Sequence, residues 1–199
     1  RNLLKLIKTQ ELLDASKKAF ETAEMHIMSA EVIAGKKHYG IPVSHLILST
    51  EQTVVGILFY AQHLGLELKN ISGIYLFFTD HIVKHNFATV FSSTYQQLKY
   101  LMGIVEKFID KDSGGLNFKD FNEKSLINKK EINTLFKNLP EMFEWWDNAN
   151  LQKNKGFYID YSNCLETPMQ VTKKEYRQGL EIVKNFQNQV KEIILYFDN

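Results

Sequence analysis

The sequence holds one cysteine, three prolines and ten glycines in 199 residues. The single thiol, Cys164, excludes an intramolecular disulfide and a four-thiolate zinc site within one chain. It fits a reducing, cytoplasmic setting. Little glycine and proline, with 13% aromatic residues, exclude collagen-like, mucin-like and disordered-tail compositions. Arginine is almost missing, with only Arg1 and Arg177 present, so clustered guanidinium forks for phosphate are not on offer. The formal charge of +1 argues against wholesale wrapping of nucleic acid but leaves room for a local basic patch. The amino terminus lacks the apolar core and cleavage site of a signal peptide. The longest uncharged apolar-rich stretch, between Glu51 and Glu67, contains Gln52, Gln62 and His63 and falls short of the roughly 18 apolar residues of a spanning helix. Phosphate-binding glycine loops and H-E-x-x-H are also missing. No membrane, cofactor or metal is expected.

What is present reads as helix. Leu12, Ser16, Ala19, Phe20, Ala23, Ile27, Ala30 and Ala34 recur in steps of three and four. They predict a first helix from about Thr9 to Ala34, with small residues that admit a close neighbour. Pro42 suits the first turn of a second helix running toward Gly65, apolar over much of its circumference, as a central helix should be. Residues 69–79 are ambiguous between helix and strand. From Asp80 to Ile109 the stripe Val83, Phe87, Val90, Thr94, Leu98, Leu101, Val105 and Phe108 predicts a third long helix with that stripe turned inward. A further helix is expected from about Lys129 to Trp146, kinked or split at Pro140. The run Lys155-Gly156-Phe157-Tyr158-Ile159-Asp160-Tyr161 has strand chemistry, and Thr172-Lys173-Lys174-Glu175 fits a capping box that opens the last helix. No linker separates a second domain. The expected architecture is an all-α, antiparallel helical bundle, one domain over residues 1–199, with a small extended or hairpin insert near residues 155–168.

The densest polar group is Asp80-His81-Ile82-Val83-Lys84-His85. At about 100° per residue, His81 and His85 fall nearly opposite the Val83 stripe with Lys84 on the flank. Both imidazoles then face solvent, another helix or a second subunit. Three uses are open to such a face. Asp80, His81 and His85 could contribute to a metal site, although a lysine alongside repels a cation. One imidazole could take the 2′-hydroxyl proton of RNA while the other protonates the leaving oxygen and Lys84 stabilises phosphate charge. Or the face is simply a solvated or interface-lining polar surface. Glu51, inside the mostly apolar second helix, needs a cation or donors if buried, and Lys84 is the first partner to test. The tandem Trp145-Trp146, with Phe143 nearby and Tyr158 further along, forms either a docking surface for a protein or part of the core.

Three blocks in this order resemble the abortive-infection V (AbiV) family of bacterial phage-defence proteins. They are Ala23 to Ile33 followed by Ser44, Leu48, Glu51 and Gln52; Asp80-His81-x-x-Lys84; and Lys155 to Tyr161 with Pro168 beyond. Gln52 and Val55 depart from a second glutamate and a lysine in that pattern. The resemblance implies a HEPN-type bundle, often dimeric and often associated with RNA cleavage. Its usual arginine with a histidine four to six residues later is absent, since neither Arg1 nor Arg177 is so followed. The resemblance also implies abortive infection, in which a phage-encoded protein is sensed and gene expression is halted. His81 and Lys84, which match the pattern, and His85, which the helical spacing adds, are the candidate catalytic residues, with Asp80 and Glu51 in support. The expected assembly is a cytoplasmic homodimer. The expected action is a block of protein synthesis by RNA cleavage, or else sequestration of a phage or host protein with no bond broken.

Overall fold

A computed structural model describes residues 9–108, 139–158 and 167–198. The described residues form seven α-helices: α1 Thr9–Ala34, α2 Gly40–His63, α3 Leu76–Thr79, α4 His81–Phe108, α5 Leu139–Asp147, α6 Ala149–Phe157 and α7 Lys173–Asp198. Two 3-10 turns, Leu68–Asn70 and Pro168–Gln170, complete the regular structure. No strand occurs among the described residues. The ambiguous stretch 69–79 is resolved into turns and the single helical turn α3.

The predicted small-residue stripe on α1 does what its size permits. Ala23 and Ala30 are fully buried, and the two backbones come close enough for side chains of one helix to bond carbonyls of the other. Ser16 Oγ donates to the Gly56 carbonyl at 2.9 Å, and Ser49 Oγ donates to the Ala23 carbonyl at 2.8 Å. A Cβ on Gly56 would stand 2.5 Å from the Phe20 ring. These pairings run in opposite senses along the two helices, so α1 and α2 are antiparallel.

Helix α2 is the centre of the bundle and touches α1, α4, α6 and α7. By length and composition it is the one described helix able to cross a membrane, yet 67% of its most apolar window is buried within the bundle. Helix α7 runs in the same direction as α2: Gln187 Nε2 donates to Ser49 Oγ at 2.9 Å, and Tyr60 Oη donates to Asp198 Oδ1 at 2.6 Å. Its start is the predicted capping box. The Thr172 amide donates to Glu175 Oε2 at 2.6 Å and the Glu175 amide donates to Thr172 Oγ1 at 3.2 Å. One hydrophobic cluster links α1, α2, α4, α5, α6 and α7, with Trp146 and Phe186 each 1% exposed.

One expectation is corrected here. Lys155, Gly156 and Phe157 end helix α6 instead of forming a strand, because the segment packs its glycine on α2. Only at Tyr158 does the backbone become extended. The remainder of the expected insert, residues 159–166 with Cys164, lies outside the described residues, as do residues 109–138. The expected helix from about Lys129 to Trp146 lies in part outside the described residues; within them Pro140 is the second residue of α5, where its missing amide is harmless.

Gly156 meets α2 without clearance: a Cβ there would lie 2.0 Å from Ser44 Oγ and 2.4 Å from the Gly40 carbonyl oxygen. A backbone oxygen cannot swing aside, so Gly156→Ala overpacks the contact and is expected to cost about 1–3 kcal/mol. Urea denaturation checks this; a loss under about 0.5 kcal/mol, the scale of an ordinary surface change, contradicts the close packing.

A carboxylate-centred candidate functional site

Helix α4 turns a different face inward from the one its apolar stripe predicts. Lys84, His85, Ala88, Thr89 and Ser92 are buried, whereas Val90, Leu98 and Leu101 are 62%, 53% and 54% exposed. His81 and His85 therefore do not project together from the outer side of the helix. His85 points into the bundle and His81 turns toward its edge, and the reason sits on α2.

Glu51 is 3% exposed. An ionised carboxylate at such depth is tolerable only if its charge is met by cations and donors. Four groups meet it. Lys153 Nζ, from α6, donates to Oε1 at 3.0 Å, and His81 Nδ1 lies 2.6 Å from Oε2. His85 Nε2 approaches Oε1 at 3.4 Å, and Lys84 Nζ lies 4.0 Å from Oε2. The His85 contact is electrostatic more than directional, since Nε2 is enclosed without a well-aligned acceptor. Burial is the largest single influence on the Glu51 carboxyl and pushes its pKa up. The contacts from His85 and Lys153, with the charges of Lys153 and His81, outweigh it and hold the group at about 2. Burial pulls the Lys84 ammonium down, partly offset by Glu51 and reinforced by Lys153.

The surroundings hold this group in place. Asp80 caps α4, its Oδ1 accepting from the amides of Ile82 at 2.8 Å and Val83 at 3.2 Å. That fixes where the helix starts and hence where His81 stands. Asp80 is thus a helix cap, and its charge also favours the Lys84 ammonium. The His85 ring stacks on Trp146 with centroids 6.3 Å apart and planes 18° apart. Ser44 Oγ donates to the Lys153 carbonyl at 2.8 Å, pinning α6 to α2. Lys153 is the member that sequence reasoning missed. Its one signal was the demand of Glu51 for a cation, which named no position.

The five groups are not equivalent toward solvent. Lys84, His85 and Lys153 are buried, while the His81 side chain is 47% exposed. A carboxylate can only accept, so the Nδ1 of His81 carries the proton and Nε2 is left as the basic nitrogen on the half-exposed ring. This is the arrangement of a carboxylate-oriented general base. Two lysine side chains face one carboxylate, so positive charge is in excess in the cluster and favours an anion at its open edge. His85, 1% exposed beneath Trp146, cannot reach a substrate, which corrects its expected role as a second acid–base group. Trp145 and Trp146, 3% and 1% exposed, are core residues and not a docking surface; Tyr158, at 67%, is open. Among the described residues no three His, Cys, Asp or Glu side chains assemble as a metal set.

A second imidazole pair ties α1 to α2: the Nδ1 atoms of His26 and His45 lie 3.0 Å apart. Burial lowers both pKa values, so the pair is favoured as neutral rings sharing one hydrogen.

The family model HEPN_AbiV, described as AbiV, matches residues 11–188. No curated protein and no solved structure gives a match.

Glu51→Gln leaves Lys84 and Lys153 buried against a neutral amide and is expected to cost about 3–5 kcal/mol. The pH dependence has a definite sign. The Glu51 carboxyl is lower in the folded chain, about 2 against 4.5, so its contribution is complete above pH 4.5 and is lost as pH falls toward 2. His26 and His45, also lowered from 6.5, cost stability as pH drops below 6.5. Denaturant titrations across pH should show both losses in the parent chain, with the lower one reduced in Glu51→Gln, the Glu192 carboxyl still contributing to it. An unchanged lower limb in that variant contradicts an ionised Glu51.

Proposed function

The chain belongs to the AbiV family of HEPN proteins, which places it among abortive-infection phage-defence proteins, and we propose that it acts there by metal-independent cleavage of RNA. The observation that carries this reading is the Glu51–His81 dyad, a buried carboxylate 2.6 Å from one nitrogen of a half-exposed imidazole. His81 Nε2 takes the proton of a ribose 2′-hydroxyl; the 2′-oxygen bonds to the adjacent phosphorus; the bond from phosphorus to the 5′-oxygen breaks; and that oxygen leaves after accepting a proton. The products are a 2′,3′-cyclic phosphate and a 5′-hydroxyl end, with no net consumption of water or metal. Lys84 and Lys153 supply the positive potential that favours a bridging phosphate at the open edge.

The leaving oxygen needs its own acid, and the enclosed His85 does not serve. We assign that proton to His81 of a second copy, bound across a two-fold interface, so that each chain brings one accessible imidazole. In this reading the protein is a cytoplasmic homodimer held benign until it meets a phage-encoded protein, and cleavage then stops protein synthesis. The absence of an arginine before the histidine is compatible with it, since lysines provide the charge here, as point charges without a fork.

His81→Ala is expected to abolish growth arrest and RNA fragmentation in infected cells, a loss of roughly 100-fold or more in cleavage rate, with circular dichroism unchanged. A cyclic-phosphate end on the fragments supports the chemistry. Fragmentation that survives His81→Ala, or growth arrest with every RNA species intact, rejects it; the latter outcome favours sequestration of a phage or host protein.

A further inference from the structure

A second recess lies between α4, α5 and α7, with a volume of about 170 Å³. Its lining includes Gln96 from α4, Glu141 and Met142 from α5, and Glu181, Phe186 and Gln189 from α7, and among the described residues it has no lysine, arginine or histidine. None of these residues belongs to the Glu51 cluster. Gln189 is 9% exposed. The Oε1 atoms of both Gln96 and Gln189 are enclosed without a hydrogen-bond donor. Enclosed acceptors are normally satisfied, and two unmatched ones in a single recess mark a place where donors belong.

The sign of the charge narrows the choice. Glu141 and Glu181, both solvent-exposed, supply negative charge that no described lining residue offsets, so anions and acceptor-rich groups are disfavoured whichever way the two amides are turned. The acceptors are spread over three helices, which suits a rigid fork of several N–H groups better than a compact ammonium with three. Buried Met142 and the Phe186 ring, 1% exposed, make part of the wall apolar. A guanidinium face is weakly hydrated and stacks on such surfaces, whereas an ammonium resists losing its water.

We infer that this recess binds a guanidinium group, carried either by a small molecule or by an arginine side chain. The inference is independent of the RNA-cleavage reading, because the two sites share no residue.

Calorimetric titration of the full chain tests this with four probes: agmatine, an acetylated and amidated Ala-Arg-Ala peptide, its lysine counterpart, and guanosine. Saturable binding of agmatine or of the arginine peptide is expected, weakening with added salt and about tenfold or more tighter than the lysine peptide. Agmatine alone binding assigns the recess to a small molecule; a tighter arginine peptide assigns it to a protein side chain. The double variant Glu141→Gln/Glu181→Gln, altered only at exposed positions, should weaken binding by about tenfold or more, while His81→Ala should leave it unchanged. No saturation by either guanidinium probe, equal binding of the lysine peptide, a preference for guanosine, or undiminished affinity in the double variant overturns the inference.

Discussion

A buried negative charge governs this molecule. Glu51 sits on the central helix where the packing is otherwise apolar, and nothing on α2 itself neutralises it. The charge is met by side chains delivered from two other helices, Lys153 from α6 and His81, Lys84 and His85 from α4. The attraction recovers the cost of desolvation only when those helices stand at one distance and one rotation. The cluster is therefore weak as a source of net stability and strong as a specification of geometry. It sets the roll of α4, the docking of α6 and the tautomer of the one imidazole that reaches solvent.

That constraint explains which parts of the molecule could be read in advance. Helix limits followed from local chemistry, and local chemistry is in the sequence. The small-residue stripe of α1, the box at Thr172 and Glu175, and the run from His81 to Phe108 all stand where expected. The roll of α4 did not follow, because counting apolar residues assigns the inward face by majority. Val90, Leu98 and Leu101 form the longer stripe, yet they are exposed. Ala88 and Ser92 are small enough for close approach, and the cations beside them are drawn toward Glu51. Pairing Glu51 with Lys84 was legible as a need for compensation; the stronger partner, Lys153, was not, since a lysine in a polar stretch gives no sign of where it folds. Trp145 and Trp146 were balanced between core and surface, and the contact of Trp145 with Gly179 puts them inside.

The three sequence blocks that carry the family resemblance turn out to be one place. Ser44 and Glu51 from the first, His81 and Lys84 from the second, and Gly156 from the third meet where α2, α4 and α6 converge. Gly156 lets α6 lie directly on α2, Ser44 holds the Lys153 carbonyl, and Lys153 reaches the carboxylate that orients His81. A pattern scattered over more than a hundred positions thus describes a single arrangement of charge. Only its rim, at His81, is open, so any chemistry on an anionic substrate must begin there.

The most direct test is the protonation pattern of the His81 ring. Nitrogen-15 NMR of the selectively labelled full chain, at a pH where the ring is neutral, reports which nitrogen holds hydrogen. An ionised Glu51 that accepts from Nδ1 predicts the Nδ1–H tautomer with Nε2 bare. A ring protonated at Nε2 instead, with Nδ1 bare beside the carboxyl group, means that Glu51 holds the proton, and both the charge balance of the core and the base assigned to its rim fail.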